Sequence, residues 1–149
     1  MSDFPAVSYV MPVLNEEGYL ADAVAAVLSQ AYPAAQELVI ALGASTDATT
    51  EIARRPAASD NRIVLVDNPV NDIPVGLNLA IAASRHPIVV RVDAHAELPE
   101  NYTHTMVGLL QSTGAVNVGG VMHAEGRTPF QSAVARAYNS PWGLGGGQY

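Results

Sequence analysis

Four short apolar runs, each followed by a stretch of helical spacing, constrain this chain more than any other feature. The runs are residues 6–13, 37–42, 63–66 and 88–92. Each is too short for a helix, rich in Val, Ile and Leu, and stopped by Pro, Gly, Asn or Asp. That is how a strand buried on both faces reads. Between them, residues 19–30 place Leu20, Val24, Val27 and Leu28 on one face of a helix. Residues 75–84 do the same with Leu77 and Ile81 after Pro74, and residues 101–112 with Met106, Leu109 and Leu110. Ser45, Thr46 and Asp47, in the small-residue turn after the second run, are placed to cap the helix that passes through Ile52. Residues 115–122 read as a fifth strand, interrupted by Gly119-Gly120. Thr128-Pro129-Phe130-Gln131 has the form of a capping box opening a helix through Tyr138. Regular alternation of this kind predicts a Rossmann-like three-layer α/β sandwich with a mainly parallel sheet and right-handed crossovers.

Composition narrows the classes of function. The 149 residues are 49% hydrophobic and 14% charged, which suits one globular core. The net charge is −7 and there is no lysine, so no basic stripe exists to track a phosphate backbone and a nucleic-acid partner is not expected. Without cysteine there are no disulfides and no thiolate metal sites. The opening residues lack the basic and apolar regions of a secretory leader, and no run of about 18 apolar residues occurs.

The chemistry concentrates at Arg91-Val92-Asp93-Ala94-His95, where the fourth run ends. In an extended segment residues i and i+2 point the same way, so Asp93 and His95 can face one metal ion. Open α/β sheets bind ligands beyond the carboxyl ends of their strands, which is where this pair falls. A second reading stays open, in which Asp93 caps a turn and His95 is a surface residue. Arg91 either faces phosphates or pairs with Asp93 or Glu97. The turn after the first run carries one glycine, Gly18, and not the three of a dinucleotide fingerprint. No Gly-Lys-Ser/Thr phosphate loop exists either.

Taken together these segments carry a resemblance. Pro12-Val13-Leu14-Asn15-Glu16-Glu17 resembles the Pro-x-x-Asn-Glu opening of family 2 glycosyltransferases. Ser45-Thr46-Asp47 resembles that family's second-strand segment, and Gly76-Leu77-Asn78 its following helix. Asp93-Ala94-His95 stands where the family has its Asp-x-Asp metal motif. Arg91 to His95, Gly119 to Met122 and Thr128 to Ala135 match the pattern of the succinoglycan-type exopolysaccharide subgroup.

The resemblance implies a GT-A fold and transfer of a sugar, with inversion, from a nucleotide-diphosphate donor to a glycan or lipid-linked acceptor. It implies Mn²⁺ or Mg²⁺ as cofactor, held by Asp93 and His95. Donor-binding residues would be Pro12, Val13, Leu14, Glu16, Gly43, Gly76, Asn78, Arg91 and Asp93. Glu16 reaches a ribose hydroxyl or serves as a first-turn helix carboxylate; Asn78 reaches base or phosphate or is an exposed helix residue. A cytoplasmic location follows, at the inner face of the membrane for a full-length protein.

Two departures limit the likeness. The family's carboxylate pair after the second strand is replaced by Leu42-Gly43. The usual second half of the domain, with its acceptor segments, has no counterpart, so the catalytic base is expected beyond Tyr149. Residues 1–139 therefore read as the donor-binding half of a truncated domain, and 140–149 as a Gly-rich tail cut within it. An uncovered sheet and tail leave homodimerisation open. Within the chain, Glu125 is the one late candidate for the base. The competing functions are a metal-dependent phosphohydrolase using Asp93, His95 and His123, and a non-catalytic nucleotide-binding module.

Overall fold

The computed structural model describes residues 4–120 and 122–143. Residues 1–114 form one compact unit and residues 115–149 a second. The first unit is built on four parallel strands: β1 (Val7–Val13), β2 (Gln36–Leu42), β3 (Ile63–Asp67) and β4 (Ile88–Arg91). Their order in the sheet is β3-β2-β1-β4. β1 aligns Val13 with Leu42 of β2, and Val10 with both Val39 of β2 and Arg91 of β4. On the far side Leu42 aligns with Asp67 of β3. The helices are α1 (Leu20–Leu28), α2 (Thr49–Ala57), α3 (Ile73–Ala83) and α4 (Tyr102–Thr113).

Period-two alternation assigns the strand residues to two cores. Tyr9, Met11 and Val13 join Leu38, Ile40 and Leu42 against Leu20, Ala23, Val24 and Val27 of α1, Ala53 of α2 and Val107 of α4. Val10, Val39 and Ala41 face the other way, onto Ala80, Leu77 and Ala83 of α3. Helices therefore cover both faces, as the continuous apolar runs require. Tyr9 ends in a polar cluster, its hydroxyl 2.7 Å from Thr103 Oγ1. Burial pushes its pKa up to about 12, against the opposing effect of the Thr103 hydrogen bond.

The four central strands match expectation within a residue or so at each end. α3 begins two residues earlier than the spacing suggested, because Asp72 and not a later residue is its N-cap, accepting from the Val75 N–H at 3.1 Å. In the second unit, α5 (Pro129–Tyr138) carries the expected capping box between Thr128 and Gln131. The fifth strand is not there. Residues 115–120 have no ladder partner among the described residues, and Val116 is fully exposed. A run of apolar residues becomes a strand only by pairing, and Gly119-Gly120 weakens the tendency further. Val121 and the tail residues 144–149 lie outside the described residues, and so does the expected cut at Tyr149.

Candidate functional site

A doubly wound sheet binds ligands where its strand order reverses. Here β2 and β3 run outward from β1 in one direction and β4 lies on its other side, so the reversal falls between β1 and β4. A cavity of about 280 Å³ opens there. It is lined by Pro12, Val13, Leu14 and Glu16 at and after the end of β1, by Asn68, Asn71, Asp72 and Ile73 after β3, and by Arg91, Asp93, Ala94 and His95 at and after the end of β4.

The residues following β4 leave the strand for a turn, in which the Ala96 N–H donates to the Asp93 carbonyl at 2.9 Å. Val92 and Ala94 are buried in the core, whereas Arg91 and His95 are exposed and Asp93 is half-buried. Asp93 thus opens the turn and His95 is exposed within it, the features that the second reading of this pair described. Arg91 donates from Nε and Nη2 to one oxygen of Asp93, at 3.2 and 3.1 Å. Of the readings open for Arg91, the structure holds the ion pair with Asp93, which leaves the guanidinium at the cavity wall. His95 Nδ1 lies 3.1 Å from Oε1 of Glu16. Glu16 stands at the start of α1, its carbonyl accepting from the Tyr19 and Leu20 N–H groups, and its side chain meets an imidazole 79 residues away in sequence.

The turn after β1 is held by the turn after β2. Asn15 sits in the left-handed region at φ 55°, a conformation Asn tolerates better than most residues. Its N–H donates to Ser45 Oγ at 3.0 Å, and its Oδ1 accepts from the Thr46 N–H at 2.8 Å. The Glu16 N–H donates to Thr49 Oγ1 at 2.7 Å. The Glu17 N–H donates to Asp47 at 3.2 Å, and Glu17 accepts from the Ala48 N–H at 3.0 Å. Thr49 holds the Asp47 carboxyl below its ordinary pKa through its hydroxyl, and the backbone N–H groups of Thr49 and Glu17 add to this. The structure corrects the expected capping: the N-cap of α2 is Ala48, without a side-chain cap bond, and Ser45 reaches to the turn after β1 instead. Asp47 accepts from the Thr49 N–H at the helix start and also reaches across to the first turn.

A second asparagine repeats the device. Asn71, at φ 59°, accepts at Oδ1 from the Ala44 N–H at 2.7 Å. Gly43 leaves room for it: a Cβ there would lie 3.0 Å from both Asn71 Oδ1 and Leu14 Cδ1.

Of the expected donor-binding residues, Pro12, Val13, Leu14, Glu16, Arg91 and Asp93 meet at one cavity, together with His95. Gly43, Gly76 and Asn78 do not line it. Gly76 is buried at a helix–sheet contact, where a Cβ would meet Asn68 Nδ2 at 2.8 Å, and Asn78 is exposed on α3. Sequence reasoning missed Asn68, Asn71 and Asp72. The stop signal Asp67-Asn68-Pro69 marked the right strand end, and a rule that every strand's carboxyl end contributes would have found them. His104 stacks at 4.5 Å on Phe4, and His123 contacts Asn139 in the second unit. Glu125 is exposed in that unit. The base expected beyond Tyr149 has no place among the described residues, which end at Gly143.

A parallel sheet with helices on both faces and a cavity at its switch point is a doubly wound α/β domain. Residues 8–146 match the model of glycosyl transferase family 2, and the chain belongs to that family. It is 36% identical over 142 residues to the succinoglycan biosynthesis protein ExoA of Rhizobium meliloti, covering 94% of this chain and 43% of ExoA. The chain thus spans less than half the length of that relative. The structure is similar to that of the mannosyltransferase PcManGT from Pyrobaculum calidifontis in complex with GDP-Man and Mn²⁺, at 29% identity and a TM-score of 0.60, over 66% of this chain and 30% of that one. It also shares the fold of S. aureus TarS residues 1–349 in complex with UDP, at 16% identity and a TM-score of 0.65, over 80% of this chain and 39% of that one. Among the described residues, no helix is long and apolar enough to cross a membrane.

Proposed function

We propose that this chain is the donor-binding part of a metal-assisted, inverting glycosyltransferase that takes a sugar from a nucleotide diphosphate and passes it to a glycan or lipid-linked acceptor. The observation that carries the reading is the single cavity uniting Pro12–Leu14, Glu16, Arg91, Asp93 and His95 at the switch point. The end of β1 at Pro12 and Val13, with Leu14 after it, offers an apolar wall to a nucleoside. Arg91 brings a guanidinium to the cavity wall, and a guanidinium fits a diphosphate by two parallel hydrogen bonds.

The donor set fits a divalent cation shared with the substrate. Asp93 offers hard carboxylate oxygen and His95 a borderline nitrogen, which together suit Mn²⁺ better than Mg²⁺. Among the described residues, no group of three or more His, Asp or Glu is placed to hold an ion unaided, so phosphate oxygens would complete the shell. Bound there, such an ion acts as a Lewis acid on the departing diphosphate. The chain's own part is to orient the donor, to bring Arg91 toward the phosphates and to hold Asp93 and His95 beside them. A place on the cytoplasmic side of the membrane, where nucleotide sugars are made, fits this reading.

Calorimetric titration of Mn²⁺ together with GDP or UDP tests it. Binding is expected for the unmodified chain and loss of binding for Asp93→Ala. A full-strength response from Asp93→Ala removes Asp93 from the role.

A further inference from the structure

We propose that Glu16 is a positioning residue for His95, selecting the imidazole tautomer that leaves Nε2 free for a cation. The inference rests on the donor-and-metal reading of the cavity and adds to it the device that prepares one ligand. A carboxylate is an acceptor only, so at 3.1 Å the His95 Nδ1 must be the donor. A neutral imidazole has one N–H and one lone pair. With the N–H on Nδ1, the lone pair sits on Nε2, at the far side of the ring. Metal-bound histidines commonly have their second nitrogen tied to a carboxylate in this way, which fixes both tautomer and ring orientation.

The two partners are held very differently. The Glu16 side chain is 22% exposed and the His95 side chain 61%. Glu16 is anchored through its backbone as well: its N–H donates to Thr49 Oγ1 at 2.7 Å, and its carbonyl accepts from the Leu20 N–H at 2.9 Å. Thr49 is completely buried at the first residue of α2. The order of support runs from the core, through Thr49, to Glu16 and then to His95. Glu16 is thus the fixed member, and the imidazole is the group being set.

The test uses the 149-residue chain with Mn²⁺ and GDP or UDP as probes. In the metal-free chain, long-range ¹⁵N–¹H NMR of the imidazoles at alkaline pH is expected to show His95 as the Nδ1–H form. Glu16→Ala should shift it toward the Nε2–H form. By electron paramagnetic resonance of free Mn²⁺, Glu16→Ala should bind about 10- to 100-fold more weakly. The double variant Glu16→Ala/His95→Ala should bind no more weakly than His95→Ala alone, because Glu16 acts only through the ring. An additional loss in the double variant would make Glu16 an independent ligand and overturn the proposal. So would an unchanged tautomer in Glu16→Ala. Thr49→Val, which keeps the carboxylate and removes its anchor, should give a smaller loss with the same tautomer shift, and it serves if Glu16→Ala fails to fold. If Asp93→Ala and His95→Ala both bind Mn²⁺ normally, the metal reading falls. The tautomer comparison in the metal-free chain still decides the role of Glu16.

Discussion

Glu37 is the one acidic side chain among the described buried residues, and its surroundings explain why it tolerates the position. Ser8 Oγ donates to Oε1 at 2.5 Å, and the Arg85 N–H does so at 2.6 Å. Arg85 Nε donates to Oε2 at 2.6 Å. The group thus ties β1, β2 and the residues before β4 at the amino end of the sheet. Burial pushes the Glu37 pKa up. The Ser8 and Arg85 hydrogen bonds and the Arg85 charge outweigh this, so the net shift is downward from 4.5. With a folded pKa below the unfolded one, its contribution is complete above pH 4.5 and is lost as pH falls through the lowered folded value. Glu37→Ala should cost about 3 kcal/mol at neutral pH, the low end for breaking a buried pair, because Arg85 remains reachable by water. Urea denaturation should also show a flatter fall in stability between about pH 5 and pH 3 for Glu37→Gln than for the unmodified chain.

At the scale of elements, the carboxyl ends of β1, β2 and β3 carry turns that hold one another. Asn15 and Asn71 each occupy the left-handed region, and each takes a backbone N–H from the loop after β2. Asn15→Ala loses both the acceptor and a residue suited to positive φ. A cost of about 1–2 kcal/mol in chemical denaturation is expected. Asn15→Gly keeps the backbone freedom and should recover part of that loss. Equal losses in the two variants would assign the whole effect to the side-chain hydrogen bond. These cross-turn bonds are also where sequence reasoning stopped. The four strands were legible because burial on both faces writes itself as a continuous apolar run. That Arg91, Asp93 and His95 line one cavity was legible because they follow one another at the end of one strand. Glu16 meeting His95, or Asn71 meeting Ala44, depends on which strands lie side by side, and a chain with the same runs in another order would bring different turns together. The fifth strand failed for a related reason: an apolar run does not reveal whether a partner strand is beside it.

At the scale of the whole molecule, the carboxylates around the cavity are committed. Glu16 is engaged with His95, Asp93 with Arg91, and Asp72 caps α3. Inverting transfer needs a further group to take the proton of the acceptor hydroxyl on the face opposite the leaving group. If that group lies beyond Tyr149, the 149-residue chain binds donor and gives no transfer at an enzymatic rate. Radiolabelled nucleotide sugars with a panel of glycan and lipid-linked acceptors measure this. Robust turnover that is lost in Glu125→Gln would instead identify that exposed carboxylate as the base.

The pairing of β4 with β1 has a consequence for how the molecule is made. Val7 to Val10 align with Ile88 to Arg91, so the last strand of the sheet docks beside the first across most of the unit. As the chain leaves the ribosome, the turn after β1 emerges early, yet its cavity lacks one wall until His95 is out. Closing so large a loop is slow compared with forming the local helices. Of the three walls of that cavity, the one after β4 is thus the last to be synthesised, following those from β1 and β3.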